Sequence, residues 1–224
     1  MQRRLIFTFL LSLVTINFAY AQQDSISIKN DSVQPKMNHL FIGVDLGTPI
    51  QAIYSNKKGF QASLAYHFKP KWTINVEGGF EKNKYDEINW DVDVDGIYAR
   101  VGANWYITQE KSNPLNGLYV GGRLAYASYN QTINSYPIRD IYSNQVVDQG
   151  SLDKASVSSF WIEVVVGGKI ELVKKLYADF SIHPAIFLGG KKQDDIEPLA
   201  IPGYGRNNGP FNLPIFWGIS YQLF

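Results

Sequence analysis

GFQASLAYHFKPKWTINVEGGFEK, residues 59–82, folds back on itself in one chemically sensible way. Apolar residues alternate with small or polar ones on both sides of Lys69-Pro70-Lys71, the period of a β-strand, and a turn this short fixes the pairing. Folding about Pro70 sets Phe68 opposite Trp72, Tyr66 opposite Ile74, Leu64 opposite Val76, Ala62 opposite Gly78 and Phe60 opposite Phe80. The other face pairs His67 with Thr73, Ala65 with Asn75, Ser63 with Glu77 and Gln61 with Gly79. One face suits lipid and the other a packed polar interior, the division of labour in a membrane β-barrel.

A second hairpin repeats the pattern. Folding about Lys174 sets Leu172 opposite Leu176, Ile170 opposite Ala178, Gly168 opposite Phe180 and Val166 opposite Ile182, with Lys169 opposite Asp179 and Glu171 opposite Tyr177 on the polar face. Period-two alternation recurs in about eight stretches: Leu40–Thr48, Gly59–Phe68, Trp72–Lys82, Gly96–Ile107, Leu118–Tyr129, Ser158–Leu172, Leu176–Ile186 and Leu213–Phe224. Most have about the ten residues that a tilted strand needs to cross a bilayer, and no window after the first twenty residues holds a helical period. Short turns (Lys69–Lys71, Thr108–Gly117, Val173–Lys175) alternate with long polar connections (Pro49–Lys58, Asn83–Asp95, Asn130–Val157, Phe187–Asn212). The expected fold is therefore all-β: an antiparallel up-and-down transmembrane barrel of about eight strands, with short periplasmic turns and long extracellular loops.

The parity rule carries Arg100 and Arg123 to the interior of neighbouring strands, where charges need partners. Glu77 and Glu163 sit at matching depth and are the expected ones, while Lys169 and Asp179 form a cross-strand pair. A lumen of about eight strands is just wide enough for side chains to fill. Phe68, Trp72, Trp105, Tyr177, Tyr221 and Phe224 are expected at the periplasmic rim, and Phe60, Phe80, Tyr126 and Phe160 nearer the outer one.

The start of the chain fits this compartment. Arg3 and Arg4, an apolar run from Leu5 to Phe18 and Ala19-Tyr20-Ala21 read as a signal peptide over residues 1–21. Residues 22–38 read as a flexible periplasmic lead-in and residues 39–224 as the barrel. With no cysteine there is neither a lipid-modified cysteine nor a disulfide framework. The signal removes two of 21 basic side chains against 20 acidic ones, leaving a charge near zero and nothing that points to nucleic acid. Fourteen tyrosines, thirteen phenylalanines and five tryptophans supply the aromatics that a membrane interface uses. The expected partners are outer-membrane lipid and lipopolysaccharide, with the barrel-assembly machinery during biogenesis, in the outer membrane of a Gram-negative bacterium; no cofactor is expected.

Phe41-Ile-Gly-Val-Asp-Leu followed by Pro49, Gly96-Ile-Tyr-Ala-Arg-Val-Gly, Leu118-Tyr-Val-Gly-Gly-Arg with Ala125-Tyr-Ala, Trp161-Ile-Glu and Ile201-Pro-Gly-Tyr follow one another along the chain. In this order they make it resemble small eight-stranded outer-membrane barrels of the OmpA and OmpX type, and more closely an uncharacterised Bacteroidota barrel family. That family carries no established activity, so the resemblance implies a fold and a membrane and no catalytic residue. One departure stands out: Gln222 occupies the position two before the terminal Phe224, where such barrels commonly carry an aromatic.

Three groups invite chemistry. Asp91-Val-Asp93-Val-Asp95-Gly96 opens like a calcium loop, but its twelfth position is Gly102 where a bidentate glutamate belongs, and the simpler reading is the solvated top of a strand. Ser181 and His183 share the lumen face and could serve a lipid A or phospholipid acyl-modifying enzyme; the simpler reading is a pair of satisfied polar lumen residues. Gly203, Gly205 and Gly209 read as turn glycines because no helix follows them. The leading expectation is a non-enzymatic barrel with a filled polar lumen and a structural or surface-recognition role through its long loops. The alternatives are the acyl-modifying enzyme and a secreted soluble ligand-binding barrel.

Overall fold

The computed structural model describes residues 38–55 and 57–224, so the expected signal peptide and the lead-in up to residue 37 lie outside the described residues. The chain runs β1 (His39–Asp45), α1 (Gly47–Tyr54), β2 (Lys58–Lys69), β3 (Trp72–Glu87), β4 (Trp90–Tyr106), β5 (Gly117–Arg139), β6 (Val146–Val173), β7 (Leu176–Ile182), β8 (Ala185–Gly190), β9 (Ala200–Ile201), β10 (Gly205–Arg206), β11 (Phe211–Asn212) and β12 (Ile215–Gln222). Strands β1 to β7 each pair antiparallel with their neighbour in sequence, and β12 pairs with both β7 and β1. The sheet closes into a barrel of eight staves. At their far ends β7 and β12 break at Pro184 and Pro214, which have no N–H to give, and resume as β8 and β11. The staves stay joined, because the Pro184 carbonyl accepts from Val164 N–H at 2.9 Å and the Pro214 carbonyl from His183 N–H at 2.8 Å.

The polarity of the two faces excludes the soluble alternative. Leu64, Val76, Val101, Leu124, Val164 and Ile170 form part of an exposed outer belt, whereas Glu77, Arg100, Arg123, Glu163 and Lys169 are buried inside. A soluble ligand-binding barrel would turn its apolar face inward. Both sequence hairpins keep their pairing over most of their length, from Phe60↔Phe80 to His67↔Thr73 and from Val166↔Ile182 to Glu171↔Tyr177. The pair nearest each turn is corrected: Lys69, not Phe68, lies opposite Trp72, and Val173, not Leu172, opposite Leu176. Each turn has two residues rather than three, and a bulge one step before it absorbs the extra residue, so parity beyond is unchanged.

Three other expectations are revised. Gly47–Tyr54 is a short helix, where no helix was expected; the Asp45 carboxylate accepts from Gly47 N–H at 3.0 Å and Thr48 N–H at 2.7 Å, satisfying its first donors. Tyr177 is buried in the lumen with its ring edge-on to Phe41, not at the rim. The connections Asn83–Asp95 and Asn130–Val157 are for the most part not loops: β3 and β4 pair to Glu87↔Trp90, and β5 and β6 to Arg139↔Val146. Together they form a four-stranded sheet that rises beyond the apolar belt.

The lumen has three layers. Near the termini, Phe41, Ala65 and Tyr177 pack with Leu115 of the Thr108–Asn116 connection, which closes that end. The middle is ionic. Above it Val94, Tyr98, Ala127, Trp161, Ile201 and Tyr204 belong to an apolar cluster that continues along the inner face of the rising sheet. The middle strands come very close at Gly102, where a Cβ would lie 1.8 Å from the Gly122 carbonyl oxygen, so no side chain fits there.

Candidate functional site: the barrel lumen and its outer mouth

Alternation along β3, β4, β5 and β6 brings Glu77, Arg100, Arg123 and Glu163 to one level, because these strands are paired in sequence order with Glu77↔Arg100 and Arg123↔Glu163 in register. Glu77 lies between the two guanidinium groups: Arg100 Nη1 donates to its Oε2 at 3.2 Å and Arg123 Nε to its Oε1 at 3.0 Å. Arg100 Nε is 2.9 Å from Glu163 Oε1, a charge contact out of line for a hydrogen bond. Remaining donors reach two side chains not named as partners from the sequence, Asn104 and Gln61, and the carbonyl of Gly203, read there only as a turn glycine. Arg123 Nη1 donates to Asn104 Oδ1 at 2.9 Å, Arg100 Nη1 to Gln61 Oε1 at 2.9 Å and Arg100 Nη2 to the Gly203 carbonyl at 2.5 Å. Parity would have placed Gln61 and Asn104 in the lumen; nothing local points to Gly203.

That last contact shows what the final connection does. Phe187–Asn212 was expected to face outward, but Ile201, Pro202 and Tyr204 are buried in the mouth. Tyr204 packs edge-on to Trp161, and Gly203, at φ +80°, leaves no room for a Cβ, which would meet the Tyr98 ring at 2.6 Å. Gly205, at φ +104°, and Gly209, at φ +154°, are likewise turn glycines.

Ser181 and His183 are brought together with Glu163. The carboxylate only accepts, so His183 Nδ1–H donates to Glu163 Oε2 at 2.8 Å, leaving Nε2 to accept from the Ser181 hydroxyl at 2.8 Å. Trp161 Nε1–H donates to the other Glu163 oxygen at 2.6 Å. The distances are those of a serine nucleophile, a base and an orienting acid. All three are buried, however, and Ser181 faces a lumen cavity of about 30 Å³, room for a water but not an acyl chain.

Toward the termini, Lys169 Nζ is 3.9 Å from Asp179 Oδ2, a charge contact, and 4.1 Å from the centre of the Phe41 ring. Tyr119 O–H donates to Asp179 Oδ1 at 2.5 Å.

Asp91, Asp93 and Asp95 lie on extended β4, not in a loop, and Gly96 is inside the same strand. Alternate carboxylates on a strand start about 6.7 Å apart and cannot wrap one ion. They are engaged across the sheet instead: Lys84 Nζ is 3.0 Å from Asp91, Asn134 Nδ2 donates to Asp91 at 3.1 Å and Asp93 at 2.8 Å, and Lys154 Nζ is 3.4 Å from Asp95. The Asn134 and Lys84 hydrogen bonds hold the Asp91 carboxyl below the usual carboxylate range, and the bond to Asp91 raises Lys84. Among the described residues no group of three or more His, Asp or Glu is arranged to hold a metal ion.

Closure, an apolar outer belt and a charged, filled interior define an eight-stranded transmembrane β-barrel. Residues 1–223 match the family described as "Domain of unknown function (DUF6048)", and the chain belongs to that family. No curated protein matches the sequence. Among solved structures the chain is similar to Ail, the attachment invasion locus protein of Yersinia pestis, at 14% identity over 83% of this chain and 97% of that one, with a TM-score of 0.42. It is also similar to a major outer membrane protein of Thermus thermophilus, at 10% identity over 84% and 100% with a TM-score of 0.49. A third is the N-terminal β-barrel domain of Pseudomonas aeruginosa OprF, at 15% identity over 84% and 98% with a TM-score of 0.37.

Proposed function

We propose that this chain is a non-enzymatic outer-membrane barrel that holds a recognition sheet above the membrane and conducts nothing through its lumen. The observation that carries the reading is the upward extension of β5 and β6. From Tyr126, in the outer aromatic belt, to Arg139 the pairing continues for roughly 40 Å at about 3.3 Å per residue. It ends in a turn whose Ile141 and Tyr142 are 93% and 98% exposed. An apolar side chain beside a tyrosine, at the end of a paired ribbon, is the kind of anchor that recognition surfaces use. Asp148, Asp153 and Lys154 lie along the outer edge of β6 and Lys84, Asp86 and Glu87 along that of β3. Charges on open edges discourage strand addition, which favours recognition by the tip and faces.

With the start of β1, Phe224 and the short turns at one end, the long sheet would stand on the extracellular side. The lumen is closed by Leu115 below, the ionic layer in the middle and Tyr204 above. The test is threefold: heat-modifiable migration in a sarkosyl-insoluble membrane fraction, cleavage at Arg139 by trypsin added to intact cells, and absence of conductance steps in planar bilayers. Protection of Arg139 on intact cells that are cleaved there after lysis would reverse the orientation, and stepwise conductance would remove the closed lumen.

The relay of Ser181, His183 and Glu163 favours a second reading, an acyl-modifying enzyme. Against it stand the burial of Ser181 and the size of the adjoining cavity. Lipid A mass spectra from cells carrying His183→Ala would differ from wild type under this reading and match it under the first.

A further inference from the structure

At the outer mouth, beside the folded-in final connection, lies a cleft of about 380 Å³, within the usual range for small-molecule sites. Its wall includes Asp45, Thr48, Lys57, Gln61, Glu81 and Phe216. Asp45, Thr48, Gln61 and Glu81 are buried, and two of these leave one polar atom each without a partner among the described residues: Gln61 Nε2 and Glu81 Oε2. The orientation of the Gln61 amide is set by the two donors on its oxygen, Tyr98 O–H at 2.7 Å and Arg100 Nη1 at 2.9 Å, so Nε2 is the free end. Glu81 Oε1 meets Lys57 Nζ at 3.0 Å, which leaves Oε2 as the free acceptor. The two residues are close neighbours across the β2–β3 ladder, where Gln61 lies opposite Gly79 and Glu81 opposite Gly59. A buried donor and a buried acceptor on one cleft wall, each unmatched, are an arrangement that a folded protein tolerates poorly unless something bridges them.

The charges of the cleft are already spoken for. Lys57 is paired with Glu81, Arg100 with Glu77 and Glu163, and Arg206 with Glu87, while Asp45 caps the start of α1. An anion finds no unpaired cation here, and both oxygens of Asp45, the one carboxylate without a cationic partner, are taken by N–H groups at the start of α1. What fits is a neutral group that accepts from an amide N–H and donates to a carboxylate, and a hydroxyl does both. Adjacent hydroxyls on a compact ring do it twice, and the Phe216 ring in the wall offers an apolar face to the ring's C–H side. We propose that the outer-mouth cleft is a binding site for a neutral sugar, a mono- or disaccharide, held by Gln61 Nε2 and Glu81 Oε2. The site is separate from the sheet tip and stands or falls independently of the recognition role given to it.

Saturation-transfer NMR on the full mature chain in detergent micelles tests this, with D-glucose, D-galactose, D-mannose, N-acetyl-D-glucosamine and lactose as separate probes. At least one should give saturable transfer. Gln61→Ala and Glu81→Gln should each weaken it tenfold or more, as loss of a buried hydrogen bond implies, while Lys154→Ala on the outer sheet leaves it unchanged. Heat-modifiable migration identifies variants that still fold, and Glu81→Asp provides a milder change at the same acceptor. Absence of saturable transfer with all five sugars, meaning that water alone occupies the cleft, overturns the proposal. So does binding that folded Gln61 and Glu81 variants retain.

Discussion

Removing the Glu77 charge should unbalance the lumen in a way that a second, chosen substitution repairs. The middle layer holds two carboxylates, Glu77 and Glu163, and two guanidinium groups, Arg100 and Arg123. Glu77→Gln keeps the shape and leaves one buried positive charge in excess. Arg100 retains Glu163 at 2.9 Å, but Arg123 is left with only Asn104 Oδ1 and the Gly122 carbonyl, both neutral. Breaking a buried pair from one side costs about 3–5 kcal/mol, and the lower end applies because those two acceptors remain. Arg123→Met should cost a similar amount with the opposite sign of imbalance. The double variant Glu77→Gln with Arg123→Met restores one guanidinium to one carboxylate, so its loss should be smaller than the sum of the singles by about 2 kcal/mol, a coupling well above the ~0.5 kcal/mol scatter of independent sites. Glu77→Gln with Glu163→Gln, which strands both guanidinium groups, should be at least additive. Reversible urea unfolding in lipid vesicles, followed by tryptophan fluorescence, reads the three single variants, Glu163→Gln included, and the two doubles. Equal, additive losses in the two double variants would refute the charge-balance account.

Reversal at Lys169 (Lys169→Glu) should destabilise the barrel by placing two carboxylates across one rung, and adding Asp179→Lys should restore only part, because the exchanged lysine no longer sits over Phe41; absence of any recovery in the same unfolding assay would count against the pairing. Gly203→Ala places a side chain on a backbone at φ +80° and against the Tyr98 ring, and should lift the folded-in connection at about 1–3 kcal/mol, read as new proteolysis between residues 191 and 212 of a barrel that still shows heat-modifiable migration. At the sheet tip the Asp140 carboxyl is held below its usual range by the Ser143 N–H and hydroxyl, with Tyr142 N–H adding to this. Its folded value lies under its unfolded one, so this turn contact is present above about pH 4 and fades as pH falls further. The Ser143 amide proton shift should follow that titration, and Asp140→Asn should flatten it.

The parts of this molecule that follow a parity were legible before any coordinates. Glu77, Arg100, Arg123 and Glu163 could be placed inside at similar depth because a strand sends every second residue inward and each of the four lies well inside its alternating stretch. Above the apolar belt the outer face of the sheet turns polar, while the inner one keeps Tyr85, Val92, Val94 and Ile133 buried. Asn83–Asp95 and Asn130–Val157 read as loops because they are rich in polar residues and lack the apolar outer face of a membrane strand, although the backbone keeps pairing past the belt, with register shifts along β5 and β6. Helix α1 is eight residues long, too short to display a period. The contact of Arg100 with Gly203 spans 103 positions and uses a carbonyl, which every residue possesses, so no side-chain pattern could announce it.

Burial alone can account for the geometry of Ser181, His183 and Glu163. A carboxylate placed in a narrow lumen must have its lone pairs met, and the Glu163 oxygens receive Trp161 Nε1–H, His183 Nδ1–H and the charge of Arg100. Once Nδ1 is committed to the carboxylate, Nε2 needs a donor. The residue two positions back on the same strand face is Ser181, which supplies one at 2.8 Å. Three polar residues meeting their hydrogen-bonding needs in a confined space therefore reproduce the order of a nucleophile, a base and an acid. What separates such a set from an active site is room for a reacting group beside the hydroxyl. Here that room is about 30 Å³, bounded by Tyr119, Asp179 and Lys169, which are themselves engaged with one another. The same rule that makes the relay look catalytic also accounts for it as part of the seal.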